Sequence, residues 1–412
     1  MILITFIEVK MKYLIGVVSI LVILLLAWIA SFNRNKVRYK PILVMLVVQV
    51  ILTFILLNTS FGQFLIGGIT TGFNYLLGYA QQGVDFVFGG MVNVDAEGNH
   101  GFTFFINVLL PIVFISALIG ILQYFRIMSI VIKGLGYVIS KINGMGKLES
   151  YNAVAALILG QQEVFISIKK QLDHLPEKRL YTLCTSAMST VSMAIIGAYM
   201  NILNPQYVVI AVILNLFGGF IIASIINPYL VDHRDEEIEF KEEKRQAFFQ
   251  MLGEYIIDGF KVAVIVGAML IGFIALIAMV NGIFAAIFQV TFVHVLGYLF
   301  SPFAFLIGVP WNECVLAGEV MATKLLTNEF AAMTLFADNV GKFSEHTQAV
   351  ISVFLVSFAN FSSIGIISGA LKALNEKQGY AIAKHGLRLL YGASLVSLLS
   401  ATIVGLIFGL QF

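Results

Sequence analysis

An apolar run that breaks too soon constrains the fold of this chain more than any other feature. Residues 155–172, AALILGQQEVFISIKKQL, are interrupted midway by Gly160-Gln161-Gln162-Glu163 and closed by Lys169 and Lys170. The apolar arm on either side is far shorter than the roughly 20 residues a bilayer-spanning helix needs. A carboxylate and two amides at that depth are costly unless they line a protein-enclosed or watery cavity. The stretch therefore reads as a re-entrant hairpin carrying a polar binding tip.

That reading requires a bilayer, and composition supplies one. The 412 residues are 59% hydrophobic and only 12% charged, where soluble domains carry about a quarter of charged residues. The apolar runs are continuous rather than alternating, which excludes a β-barrel and leaves an all-α polytopic membrane protein. A net charge of +2 gives no case for a nucleic-acid partner. Cys184 and Cys314 stand alone in apolar runs and read as buried small hydrophobes. No cleavable signal peptide is evident, and residues 1–10 read as a start-site extension ahead of Met11-Lys12.

Charge placement sets the topology. Residues 13–32 form a first span, and Arg34, Lys36, Arg38 and Lys40 hold the next loop in the cytoplasm. Further spans are expected at 41–58, 102–124, 181–203, 206–226, 258–280, 350–371 and 389–412, about eight in all. Residues 61–79 read as an interfacial helix, 80–100 as an external loop and 126–147 as an amphipathic helix along the membrane. Residues 281–300 fit either an external interfacial helix or part of a span. Lys147 before the hairpin and Lys169, Lys170, Lys178 and Arg179 after it place both of its ends inside, as a re-entrant segment requires. The mixed charges of 233–245 read as a solvated cytoplasmic loop.

A second interrupted segment, 301–333, holds Pro302, Gly308-Val309-Pro310, Glu313, Glu319, Lys324, Asn328 and Glu329, and enters from outside. Each hairpin precedes a span with polar residues at its centre: Ser189-Thr190 in one, Asn360 to Ser363 in the other. Inverted repeats with broken helices meeting near the midplane are the architecture of secondary transporters, because half-helix ends bind ions and polar solutes without bulk water. The site offers carboxylates, amides and hydroxyls with little cationic complement beyond Lys324. It suits a neutral solute rich in hydroxyls, a sugar or a nucleoside, whose ring Phe358 or Phe361 could stack on. Glu313 and Glu319 fit an external vestibule as well as a site, and Lys324 fits an ion partner of a glutamate. A channel would show a continuous polar pore without paired hairpins. A membrane enzyme would need a nucleophile–base or metal constellation, which the six scattered His do not form.

At these residues the chain resembles a known family. Gly160-Gln161-Gln162-Glu163, Lys324 with Asn328-Glu329-Phe330, and the run from Ser357 to Ser363 are similar to the concentrative nucleoside transporters. The segments 143–152 and 188–199 resemble the bacterial branch of that family. The resemblance implies an elevator-type transporter, a homotrimer in which a fixed scaffold surrounds a moving transport domain. It divides the chain into scaffold 1–142, transport 143–226, a loop, scaffold span and external segment at 227–300, and transport 301–412. It implies that Gln161, Gln162 and Glu163 contact the nucleobase, that Glu329, Asn360 and Ser363 hold the ribose, and that Ala194 and Phe358 line the site. In sodium-coupled members the ion site would correspond here to the carbonyls of Ala156, Leu159 and Met193 and the hydroxyls of Ser189 and Thr190. Two departures bear on function: Gln162 stands where many relatives have Thr or Ser, and Ala156 where sodium-coupled relatives have Asn. The coupling cation, Na+ or H+, stays open, as does purine against pyrimidine preference. The expected activity is import of uridine-, cytidine- or adenosine-like nucleosides across the bacterial cytoplasmic membrane.

Overall fold

In lipid every backbone polar group must be satisfied within its own segment, and the fold meets this with helices throughout. The computed structural model describes residues 2–89, 103–161, 163–172, 174–231 and 246–408. Gln162, most of the expected external loop, the 233–245 loop and the last residues of the final span lie outside the described residues, as does the side chain of Glu163.

Helices α1 (Ile2–Ile29), α2 (Tyr39–Asn58) and α3 (Ser60–Phe88) come first. A π-turn at Phe105–Leu109 leads into α4 (Pro111–Tyr124) and accommodates Pro111, which has no N–H to give the ladder. Arg126, in the left-handed region at φ 62°, then turns the chain into α5 (Ile127–Asn143). Met128, Ile132, Gly136 and Ile139 recur at helical spacing on the buried face of α5, so this helix is amphipathic as expected.

The first hairpin is α6 (Lys147–Leu159) with the short α7 (Glu163–Ser167) and α8 (Lys169–Leu172). The span after it breaks into α9 (Glu177–Ser189) and α10 (Met193–Met200), and α11 (Pro205–Ile226) follows. Next come α12 (Phe248–Phe288) and α13 (Phe292–Leu306). The second hairpin is α14 (Cys314–Leu326) and α15 (Glu329–Asp338). Its following span also breaks, into α16 (Glu345–Leu355) and α17 (Phe361–Leu374), before α18 (Glu376–Lys384) and α19 (Gly386–Ile407). The counterpart helices α11 and α19 are buried along most of their length, pack on each other, and carry α9 and α16 against them. By contrast α12 leaves Ile265, Ile271 and Leu276 exposed, as a helix solvated by lipid does.

Among the described residues six helices are long and apolar enough to cross a bilayer, counting the broken α9–α10 segment as one. Of the other two expected spans, 13–32 contains the shorter apolar stretch Tyr13–Ile29, and 350–371 is divided by the break before α17. Three boundaries differ from expectation. The helix expected at 61–79 continues to Phe88, so the first part of the expected external loop is helical. The span expected at 258–280 is the middle of a 41-residue helix that absorbs residues 281–288. The second hairpin does not begin at Ser301: Pro302 lies inside α13, and the Gly308–Pro310 break is the corner joining α13 to α14.

That corner folds α13 tightly along α14 because two glycines face each other. A Cβ on Gly318 would meet the Gly297 carbonyl, and a Cβ on Gly297 would come within 2.6 Å of Glu319 Cγ. Small residues of this kind let membrane helices approach closely. Gly318→Val is expected to cost about 1–3 kcal/mol through overpacking, read as a lowered melting temperature of the detergent-purified protein.

Candidate functional site

The tip of the second hairpin is where Asn328 caps α15, its side chain accepting from the Ala331 amide at 3.0 Å. The next residue, Glu329, is buried and its two oxygens are shared between distant elements. The Tyr199 hydroxyl from α10 donates to one at 2.8 Å, and the Asn360 amide from the second broken span donates to the other at 2.8 Å. Asn360 in turn caps α17, taking the Ser363 amide at 2.9 Å. One carboxylate thus ties a hairpin tip to both broken spans, and Glu329 and Asn360 both present polar atoms at half-helix N-termini.

The tip of the first hairpin turns at Gly160, whose φ of 114° is closed to most L side chains. Gln161 follows with its buried Oε1 lacking a hydrogen-bond partner among the described residues. A buried unsatisfied acceptor in a folded chain points to a missing partner. The returning helix α7 packs against α17, the helix that Asn360 caps. Gly160→Ala is expected to place about 1–3 kcal/mol of backbone strain at the tip. Thermal melting of the purified protein, compared with wild type, reads that cost.

The two spans break where they cross. The Phe358 amide donates to the Thr190 carbonyl at 3.3 Å, so the unwound middles are joined directly, and the Asn215 side chain from α11 donates to the Val356 carbonyl at 2.6 Å. Phe358 is buried beside this junction, and Ala194 lies partly buried in the first turn of α10.

The residues expected at an ion site lie at or near the ends of the helices that flank the first break. Leu159 ends α6, Ser189 ends α9 and Met193 begins α10, and these helices pack on one another. Ser189 and Thr190 both give their hydroxyl protons to the Ser186 carbonyl, at 3.2 and 3.0 Å, which leaves their oxygen lone pairs to face elsewhere. The Ala156 carbonyl takes the Gly160 amide at 3.0 Å and retains its second lone pair. The set is made of neutral oxygens, the donor type that replaces the hydration shell of an alkali ion.

Three polar residues of the second hairpin have other tasks. Glu313 accepts from the amide and hydroxyl of Ser344 at the start of α16. Glu319 bonds His294 at 2.6 Å, tying α14 to α13. Lys324 bonds neutral oxygens directly, the Phe354 carbonyl at 2.5 Å and the Ser357 hydroxyl at 2.7 Å, and Glu329 acts on it electrostatically from further away.

Two features of the fold were not read from the sequence. Tyr199, the donor to Glu329, falls in a span whose 188–199 segment carries the family resemblance, but it was not singled out as a site residue, although a tyrosine deep in a span needs a partner for its hydroxyl. The other is a buried ion pair at the base of the first hairpin. Glu149 of α6 takes Arg179 of α9 bidentately at 2.7 and 3.0 Å, and the Tyr229 hydroxyl adds 2.9 Å. Burial, and next the adjacent carboxylate, push the Tyr229 phenol well above its ordinary pKa, so it stays neutral and donating.

Paired hairpins of opposite sense, two crossing broken spans and a shared carboxylate define a membrane transporter. Comparison with known proteins bears this out. Residues 18–91 match the family described as Na+ dependent nucleoside transporter N-terminus, 105–206 match nucleoside recognition, and 207–405 match Na+ dependent nucleoside transporter C-terminus. The purine nucleoside transport protein NupG of Bacillus subtilis is 36% identical over 96% of this chain and 99% of its own. The nucleoside permease NupC of Helicobacter pylori is 30% identical over 97% and 98%. Among solved structures, CNTnw in an inward-facing substrate-bound state superposes with a TM-score of 0.92 at 30% identity, over 97% of this chain and 99% of that one. An outward-facing state of CNTnw also gives 0.92, at 29% identity. The chain belongs to the concentrative nucleoside transporter family, on its bacterial branch, and is a transporter rather than an enzyme.

Proposed function

We propose that this protein is a symporter that imports nucleosides across the bacterial cytoplasmic membrane, driven by a sodium gradient. The observation that carries the reading is Glu329, shared by Tyr199 and Asn360 where a hairpin tip meets both broken spans. A carboxylate so placed accepts hydrogen bonds from vicinal ribose hydroxyls, with Asn360 and Ser363 beside it. Gln161, Gln162 and Glu163 read the base from the other tip, and the unpartnered Oε1 of Gln161 is available for a base amino group. Ala194 and Phe358 line the space between. Sodium is held by the oxygens of Ala156, Leu159, Ser189, Thr190 and Met193. Binding of nucleoside and ion satisfies polar groups that otherwise resist crossing, and the transport domain, 143–226 and 301–412, then moves as an elevator against the scaffold of a homotrimer.

Calorimetric titration with uridine, cytidine, adenosine and guanosine, in sodium and in choline buffers at several pH values, tests the assignment. Submillimolar binding of at least one nucleoside that tightens with sodium is expected, and the ranking reads base preference. Binding that tightens only with falling pH would transfer the coupling to protons, and binding to none would overturn the reading.

A further inference from the structure

Lys324 is a feature of the second repeat that the mechanism above leaves unused, and its surroundings are unusual for a lysine. The side chain is 1% exposed. Its ammonium donates to the Phe354 carbonyl at 2.5 Å, the Ser357 hydroxyl at 2.7 Å and, at 3.4 Å, the Ser397 hydroxyl of α19. It also lies 4.5 Å from the centre of the Phe354 ring. Its direct partners are therefore neutral oxygens and an aromatic face, as for a bound alkali ion, and the nearest carboxylate influence, Glu329, acts on it without a direct bond.

The internal repeat shows what those surroundings correspond to. Glu163 and Glu329 each begin the returning helix of a hairpin, and Ser192 and Asn360 each hold the N-cap position after a break. Counting back from these markers pairs Ile158 with Lys324, Ser186 with Phe354, Ser189 with Ser357 and Thr190 with Phe358. The last pair is the one whose backbones bond to each other at the crossing, as positions related by a two-fold should. In the first repeat the Ser189 hydroxyl belongs to the candidate ion site and gives its proton to the Ser186 carbonyl, and the hairpin position corresponding to Lys324 is the apolar Ile158. In the second repeat the counterpart oxygens, Phe354 and Ser357, hold the ammonium of Lys324.

We propose that Lys324 is a tethered cation occupying the second repeat's counterpart of the coupling-ion site, and that it positions the Ser357–Asn360 break for substrate. This rests on the transport reading above. The two breaks are then organised differently: the first assembles when an ion arrives, and the second is held permanently by a charge on the chain. Lys324 touches no substrate; it acts through Phe354 and Ser357, whose segment leads into Asn360. The C-terminal carbonyls of α16 carry negative partial charge, which the ammonium offsets.

The test compares Lys324→Met, Lys324→Gln and Lys324→Ala in purified full-length protein. Loss of the charge should weaken nucleoside binding by about tenfold or more, the size of one charge-assisted hydrogen bond. Gln should fare as badly as Met, although its amide can still donate to Phe354 and Ser357. Methylammonium chloride should raise the melting temperature of Lys324→Ala and restore its nucleoside affinity, with no such effect on wild type. Wild-type affinity in Lys324→Gln, or a folded Lys324→Ala indifferent to methylammonium, would overturn the proposal. If Lys324→Ala does not fold, the Gln and Met affinities decide. The melting arm needs no nucleoside, so it judges the tethered cation even if wild type binds none, a result that would instead sink the transport reading.

Discussion

Glu329→Gln is expected to weaken nucleoside binding by about 10- to 100-fold, corresponding to one or two hydrogen bonds to a charged acceptor at about 1.5–3 kcal/mol. The size follows from what the carboxylate does. It accepts from Tyr199 and Asn360, and in the proposed function its remaining lone pairs accept from substrate hydroxyls. Glutamine keeps one acceptor oxygen but turns the other position into a donor, which faces the Tyr199 hydroxyl or the Asn360 amide, themselves donors. The site then loses both charge and hydrogen-bond match. Calorimetric titration against wild type measures this directly. Tyr199→Phe, which leaves the charge and removes a single donor, should fall short of the glutamine variant. Equal losses in the two variants would mean that Glu329 serves only to hold the fold.

The second large effect is on stability. Glu149→Met or Arg179→Met is expected to destabilise the protein by about 3–5 kcal/mol, because each leaves an uncompensated charge in a buried place. Glu149 is 0% exposed and Arg179 5%, so neither can reach water without local opening. The double replacement Glu149→Met with Arg179→Met should recover much of that loss, since a buried ion pair exchanged for apolar groups of similar volume is often neutral. Thermal melting of the four proteins forms a double-mutant cycle. The pair joins α6 to α9, with Tyr229 after α11 as third member, so the single variants should also loosen the first hairpin against its broken span.

How much of this was legible in the chain differs from feature to feature. The first hairpin was, because its apolar arms are too short to span and lysines flank both ends. The break at Asn360 was legible as a polar cluster in an apolar run. The start of the second hairpin was not: Pro302 and Gly308–Pro310 look like helix breakers, yet Pro302 is accommodated within α13 and only the second interruption turns the chain. The length of α12 was hidden by Asp258 and Lys261, which pair with each other on an exposed face instead of ending the helix. Arg179 beside Lys178 reads as another cytoplasmic marker; nothing local distinguishes a solvated cation from one that finds a carboxylate 30 residues away. For the same reason the direct partners of Lys324, the oxygens at the end of α16, cannot be read from the chain, although its electrostatic link to Glu329 can be suspected there.

The central claim is that two oppositely oriented tips form one ion-coupled nucleoside site. Uptake of radiolabelled uridine or adenosine into proteoliposomes under an inward sodium gradient tests it most directly. The expected result is saturable accumulation above the external concentration that collapses when an ionophore dissipates the gradient and is lost in Glu329→Gln. Uptake that merely equilibrates at the same rate with no sodium or proton gradient, or that survives both Glu163→Gln and Glu329→Gln, would contradict it.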